Sequence, residues 1–200
     1  MDLIVAVPLA VILSPLLALI AISVRRDSPG PALFTQERVG LHGRPFTLLK
    51  FRTMVVGAQQ MGTGLKVTEG DSRITPLGAR LRRLSLDELP QIWNVVRGDM
   101  SIIGPRPTVQ AQVEQYNTEQ RRRLLARPGV TGWAQVNGRN SIPWSRRIEL
   151  DVEYVQRWSL LFDLRILLRT VGVVFTRDNT YTGSEGAFDL NRPEDGEEDV

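Results

Sequence analysis

Asp87 and Glu88, adjacent in the run Ser85-Leu86-Asp87-Glu88-Leu89-Pro90-Gln91, are the residues whose types and spacing point most directly to chemistry. Ser85 to Glu88 matches a capping box, in which Ser85 would cap a helix and Glu88 would bond back to it. Pro90 counts against that reading, because in a helix begun at Ser85 it would stand where an intrahelical N–H donor is already required. With Asp87 as the cap, Pro90 falls in the tolerated first turn. The two carboxylates then stand beside free backbone amides suited to a phosphate. Such a pair can divide labour, one oxygen attacking phosphorus while the other carboxylate holds a divalent cation. Helix capping and catalysis both remain open at this level.

The basic residues around the pair favour a phosphate ligand. Arg80, Arg82 and Arg83 precede it, and Arg82 lies five residues before Asp87. An arginine offers bidentate contact to phosphate oxygens, whereas Lys50, projected from an extended segment, acts as a point charge. For Arg82 a solvated role and a phosphate-binding role weigh equally. Arg121, Arg122 and Arg123 read as a solvated or headgroup-facing run. His42, the single histidine, reads as a solvated turn residue. The absence of cysteine excludes a disulfide framework, a thiol nucleophile and a Cys-ligated zinc site.

A chain of 200 residues with 42% hydrophobic content can hold one core and a short membrane element. Its formal charge of +3 conceals a strong asymmetry. The last seventeen residues carry seven acids against one arginine, which leaves +9 on residues 1–183. Such a basic body suits an anionic membrane surface or phosphate ligands. Nucleic acid is a weaker partner, since no recognised binding motif accompanies the charge. A non-catalytic membrane-tethered scaffold would explain the charge but would not need the carboxylate pair.

Leu3 to Val24 is an uncharged apolar run of 22 residues, long enough to cross the hydrocarbon core as a helix. Arg25 and Arg26 follow it and place the remainder of the chain in the cytoplasm. No basic residue precedes the run, which argues against a cleaved signal peptide. Mid-run, Pro15 has no N–H for the carbonyl of Val11, and Ser14 supplies a hydroxyl that can help rearrange those bonds. Either a kinked spanning helix or a helix–break–helix hairpin returning to the same face is compatible with this pattern.

Beyond the anchor, Leu33–Thr35 and Phe46–Arg52 read as two strands of a hairpin. Residues 57–73 read as loop. Thr75-Pro76 starts a helix with a stripe of Leu77, Leu81 and Leu84, and Leu89, Ile92, Trp93 and Val96 mark a second helix ending at Gly98. Gly104-Pro105-Arg106-Pro107 is a rigid link. Helical patterning returns over 109–126, with a restart at Thr118. Residues 132–140 look extended or looped, and Ile148, Val152 and Val155 mark a further helix. Leu160 to Phe175 is apolar but interrupted by Asp163, Arg165 and Arg169, so it reads as an interfacial or core-packed helix rather than a spanning one.

Taken together, these blocks resemble the bacterial sugar transferase family, the monotopic polyprenyl-phosphate phosphoglycosyl transferases. The resemblance runs to about residue 175. It rests on Ser14-Pro15, Phe34-Thr35-Gln36, Lys50-Phe51-Arg52-Thr53-Met54, the Ser85–Gln91 run, Gly98-Asp99-Met100-Ser101, Gly104-Pro105-Arg106-Pro107 and the long block from Arg127 to Asn140. With the patterns above it implies an α+β, mostly helical fold with a re-entrant membrane helix-break-helix over 1–26 and a catalytic domain over 27–178 that carries a small β-hairpin and amphipathic interfacial helices, while the Gly, Asp and Glu content beyond Thr176 indicates an acidic, disordered tail over 179–200. It further implies a Mg²⁺-dependent enzyme at the cytoplasmic face of the bacterial inner membrane. Its substrates would be a UDP-sugar and undecaprenyl phosphate in the lipid bilayer, with UMP released as a surface glycan is begun. Carried onto this sequence, Asp87 is the nucleophile, Glu88 supports Mg²⁺, Lys50, Arg82 and Arg106 serve the phosphates, and Asp163 matches a further acidic position. Ser14-Pro15 matches the break of the membrane hairpin. Two departures stand out: the basic residues often found before the apolar run are absent, and the chain has no room for the extra membrane helices of larger relatives.

Overall fold

The apolar run folds as a single helix, α1 (Asp2–Asp27), in a computed structural model that describes residues 2–61, 70–138 and 141–175. Ala6, Ala10, Ile20 and Val24 form a buried stripe along α1, while Leu3, Ile4, Val11, Ile12 and Leu19 remain exposed. An apolar surface of this kind is unfavourable in water by roughly 25 cal/mol per Å², and the helix fits a membrane-inserted element. The two half-helices expected on either side of Ser14-Pro15 are one helical element. The physical reason is local: the Ser14 hydroxyl donates to the Val11 carbonyl at 2.8 Å, serving the acceptor that Pro15 leaves without an N–H.

Both ends of α1 touch the body of the protein. At the start, Ser101 Oγ donates to Asp2 Oδ1 at 3.1 Å. At the other end Arg52, almost fully buried, donates to the carbonyls of Val24, Ser28, Pro29 and Pro31 and to the Ser28 hydroxyl. One guanidinium thus satisfies carbonyls that the helix end and the following turn leave open, with a positive charge at the helix terminus that favours it.

The hairpin forms as expected but with a longer first strand. β1 (Leu33–Val39) pairs antiparallel with β2 (Pro45–Phe51), and the register sets Phe34 opposite Lys50. His42 lies exposed in the tight turn between them, in a left-handed conformation with φ of 56°. The free edge of β2 is closed by a side chain rather than a strand. Asn94 Oδ1 accepts from Leu49 N at 3.0 Å and Asn94 Nδ2 donates to the Thr47 carbonyl at 2.7 Å.

α2 (Pro76–Arg83) starts where predicted, with Thr75 Oγ1 accepting from Gly78 N at 3.0 Å. A Cβ at Gly78 would come within 2.1 Å of the Thr53 carbonyl, so only glycine lets α2 lie against the end of β2. Leu81 is buried, but Leu84 is exposed, so the stripe is shorter than its spacing suggested. α3 (Ile92–Arg97) ends at Gly98 with φ of 83°, and it buries Ile92 and Val95 while Trp93 faces outward.

A short parallel pair, β3 (Ser101–Ile103) with β4 (Gly129–Thr131), was not visible in the sequence. Gly104 and Gly129 make it possible, because a Cβ on either would collide with backbone of the opposing segment. Immediately after β4 the chain forms α6 (Trp133–Val136), correcting the extended reading of this stretch. Between the strands lie α4 (Gln110–Val113) and α5 (Thr118–Arg121), the latter starting in a capping box made by Asn117 and Gln120. α7 (Trp144–Arg157) buries Ile148, Asp151, Val152 and Tyr154. α8 (Leu160–Phe175) divides its apolar residues between two faces: Ile166 is fully buried beside Trp133 and Tyr154, whereas Leu160, Leu161, Leu164, Leu168 and Val171 are exposed. The exposed residues recur at helical spacing, giving one apolar stripe. The acidic tail, and Arg139 and Asn140 of the long motif, lie outside the described residues.

Candidate active site

Asp87 and Glu88 stand on a six-residue 3₁₀ segment, Leu86–Gln91, and α3 begins only at Ile92. Neither expected cap forms. Ser85 occupies the cap position but makes no side-chain bond to the segment, and it is held in the left-handed region with φ of 55°. Pro90, buried inside the segment, cannot supply the N–H of a regular α-helical turn, so the tighter geometry persists until the proline is passed. A non-glycine residue at positive φ costs energy, and here the strained position lies two residues before Asp87.

The β2 strand lies against this segment, and its register delivers Lys50 to Glu88. Lys50 Nζ donates to Glu88 Oε1 at 2.9 Å, and Arg106 Nη2, arriving from the Gly104–Pro107 link, donates to the same oxygen at 2.7 Å. Arg82, on α2, is held by its Nε donating to Thr53 Oγ1 at 2.8 Å, and its charge acts on Asp87. Five of the residues singled out in the sequence, Lys50, Arg82, Asp87, Glu88 and Arg106, therefore converge on one place.

The two carboxylates are electrostatically unequal. Burial alone would raise the pKa of Glu88, but the charges of Arg106 and Lys50, with their hydrogen bonds, hold it well below the usual carboxylate range. Asp87 is pushed upward, first by burial and then by the charge of Glu88, against the opposing pull of Lys50, Arg82 and Arg106. No described residue donates a hydrogen bond to the Asp87 carboxylate. One acid is clamped as an anion, and the other keeps its oxygens available to an incoming group.

Arg38, on β1, is a further cation at this site that the sequence reading overlooked. It donates to Gln36 Oε1 at 2.6 Å and to the Pro107 carbonyl at 3.4 Å. Burial and then the nearby Arg106 charge lower its pKa to about 10, while Glu88 opposes the shift. The signal available was the alternation of β1, which puts Gln36 and Arg38 on the face of Phe34 and hence of its partner Lys50.

Asp163 does not join this cluster. Its Oδ1 accepts from Tyr154 Oη at 2.9 Å and its Oδ2 from Trp158 Nε1 at 3.2 Å, so both oxygens are engaged at the start of α8. The run Arg121–Arg123 also divides. Arg121 and Arg122 are exposed, but Arg123 is buried and pairs with Asp151, which corrects the solvated reading of that residue.

Among the described residues no group of three or more acids or histidines could enclose a metal ion. The donor set nevertheless fits Mg²⁺ of the kind shared with a substrate. Such an ion is held by one or two carboxylates and completes its shell with phosphate oxygens and water. Glu88 Oε2 and the Asp87 carboxylate are the oxygens that remain for it.

Comparison with known proteins places the chain in a family. The family model for the bacterial sugar transferases matches residues 1–177, and the chain belongs to that family. It is 45% identical over 190 residues to a UDP-glucose:undecaprenyl-phosphate glucose-1-phosphate transferase of Caulobacter vibrioides, covering 90% of this chain and 70% of that protein. It is 41% identical over 194 residues to a UDP-galactose-lipid carrier transferase of Erwinia amylovora, covering 90% of this chain but 40% of the relative. With the uncharacterized sugar transferase EpsL of Bacillus subtilis it shares 47% identity over 155 residues, 78% of this chain and 75% of the relative. The chain thus spans well under half the length of the Erwinia protein and most of the length of the other two.

Proposed function

We propose that the protein transfers a sugar phosphate from a UDP-sugar to undecaprenyl phosphate through a covalent intermediate on Asp87, with release of UMP. The observation that carries this reading is the division of the carboxylate pair: Glu88 is fixed by Lys50 and Arg106, while no donor to the Asp87 carboxylate is found among the described residues. The names of the relatives support the substrate classes.

In the first step an Asp87 oxygen attacks the β-phosphorus of the UDP-sugar. The bond from that phosphorus to the bridging oxygen breaks, and the bridging oxygen leaves with UMP. In the second step an oxygen of undecaprenyl phosphate attacks the same phosphorus, breaking the Asp87–phosphorus bond and forming the lipid diphosphosugar. Lys50, Arg82 and Arg106 converge where the phosphate charge would lie, the electrostatic contribution that phosphoryl transfer chiefly needs. Glu88 would hold Mg²⁺, which when bound would supply charge neutralisation at the phosphates. Glu88, paired with two cations, stays ionised and keeps its free oxygen turned to that task.

We further propose that α1 enters and leaves the bilayer on the cytoplasmic side of the inner membrane, and that the exposed stripe of α8 lies in the interface. Contacts of both ends of α1 with the body support this topology. It brings a lipid-borne phosphate and a water-borne nucleotide to one site.

The test is to incubate purified enzyme with radiolabelled UDP-sugar and Mg²⁺ in the absence of lipid acceptor. Label should appear on the protein and be absent from Asp87→Asn. Turnover by Asp87→Asn at the wild-type rate, with no label trapped on the wild type, would favour direct attack by the lipid phosphate instead.

A further inference from the structure

Arg106 presents a paradox of position. Its side chain is the more exposed partner of the Glu88 pair, at 43%, and its guanidinium is held by Glu88. A long side chain on a non-helical link, with partial access to solvent, would ordinarily sample several rotamers. What is fixed is its backbone. Pro105 and Pro107 restrict the chain on either side, and the Arg106 carbonyl accepts a hydrogen bond from Arg123 Nη2 at 2.8 Å.

Arg123 is only 3% exposed and makes three kinds of contact. Besides the Arg106 carbonyl, it donates to Tyr116 Oη and pairs with Asp151, a residue of α7 that is 1% exposed. The surroundings are apolar: Val113, Ile148, Val152 and Leu124 belong to the same cluster as Tyr116. Burial pushes the Asp151 pKa up to about 6, and the Arg123 charge opposes the shift.

A buried ion pair is an expensive way to stabilise a core. Apolar residues of similar volume usually serve as well or better, because the desolvation of two charges offsets most of their attraction. The value of this pair lies in where the Nη2 that serves Asp151 also points. Arg123 turns its guanidinium from α7 to the main chain of the residue that holds Glu88.

We infer that Arg123 and Asp151 are positioning residues for Arg106, transmitting the fixed position of α7 through the Arg106 carbonyl to the guanidinium on Glu88. Neither residue touches Asp87 or Glu88. The inference deepens the proposed reaction and rests on that reading for its kinetic consequence, but its structural consequence can be read without turnover.

The experiment uses the full chain in detergent or nanodiscs, with Asp151→Asn introduced alone and together with Arg106→Ala. UMP release gives kcat and KM, and hydrogen exchange followed by mass spectrometry reports the peptide over 103–109. Asp151→Asn should lower kcat/KM about 10- to 100-fold in the wild-type background and less than about threefold in the Arg106→Ala background, since residues acting through one another are non-additive. Exchange should accelerate at 103–109 while the hairpin peptides over 33–51 keep their protection. Equal losses in the two backgrounds, or a uniform rise in exchange across the protein, overturns the inference in favour of general stability. If the wild type releases no UMP, the proposed reaction falls and the exchange measurement alone decides this inference. Should Asp151→Asn fail to fold, Tyr116→Phe removes one bond to Arg123 and leaves the ion pair. It should show a several-fold loss that vanishes in Arg106→Ala, and unchanged activity and exchange would refute the proposal.

Discussion

Lys50 Nζ and Glu88 Oε1 are 2.9 Å apart, although 38 residues separate them in the chain. That proximity depends on where β2 lies relative to the 3₁₀ segment, and one buried amide sets it. Asn94, fully buried three residues after the segment ends, supplies the acceptor for Leu49 N and the donor for the Thr47 carbonyl. It acts as a one-residue strand on the free edge of β2, directly beside Lys50.

Asn94→Ala should therefore destabilise the fold by about 1–3 kcal/mol, the cost of removing two hydrogen bonds from a buried amide to part-buried backbone groups. Thermal unfolding in detergent would show the loss as a lowered midpoint. Activity should fall more than unfolding explains at temperatures where the variant remains folded, because Lys50 loses its registration. A midpoint unchanged from wild type would mean that water replaces the amide at both positions.

Glu88→Gln keeps the shape of the side chain but removes the charge that Lys50 and Arg106 share. The two cations then repel each other, and the residue loses its anionic oxygen for a metal. The expected effect is a fall in kcat of about 10²-fold or more, in the range for a lost electrostatic contribution at a reaction centre. Calorimetry gives a second measurement: Mg²⁺ should enhance UDP binding to the wild type and do so far less in Glu88→Gln. Equal enhancement in both proteins would remove Glu88 from the metal site.

Much of this site was legible in the sequence because its signals are local. Asp87 and Glu88 are adjacent, Pro90 marks the irregular segment, and the strand pattern around Lys50 is explicit. The hairpin, the Thr75-Pro76 start and the Thr118 restart were readable for the same reason. What escaped depended on contacts between distant segments. The β3–β4 pair consists of two three-residue strands whose close approach is licensed by Gly104 and Gly129, and neither strand has a period long enough to detect. Arg123 looked solvated because it sits in a run of three arginines, and only the tertiary position of Asp151 makes it internal. The misplaced cap has a different cause. The sequence showed that Pro90 obstructs a helix begun at Ser85, but the alternative adopted, a 3₁₀ segment after a left-handed serine, is selected by packing against β2.

A pH dependence of stability follows from Asp71, which is buried with Arg73 across the bend before α2. Hydrogen bonds from Arg73 lower the Asp71 pKa from 3.8 to about 2. A depressed carboxylate contributes its full stabilisation above the unfolded-state value and loses it as pH falls through the folded-state value. The wild type should thus lose this contribution between about pH 4 and pH 2. Asp71→Asn, lacking the pair at every pH, should be less stable than wild type at neutral pH, and the gap between their unfolding midpoints should narrow over that acidic interval. A constant gap would assign the stabilisation to packing rather than to the charge.

The membrane topology makes the last prediction, and the lack of cysteine in the chain makes it convenient to test. Leu3 and Asp27 lie near opposite ends of α1, both outside its buried stripe. With a re-entrant α1, Leu3→Cys and Asp27→Cys should each react with a membrane-impermeant maleimide from the cytoplasmic side only. The bond from Ser14 Oγ to the Val11 carbonyl lets the chain tolerate Pro15 without an unpaired acceptor in lipid, and Pro15 is the residue that disfavours a straight spanning helix. Pro15→Ala should therefore move the label at position 3 to the opposite face while position 27 stays cytoplasmic. Continued cytoplasmic labelling at position 3 in that variant would show that the contact of Asp2 with Ser101, rather than the proline, holds the start of the helix at its own side. Labelling of positions 3 and 27 from opposite faces in the otherwise unaltered chain would make α1 a spanning helix.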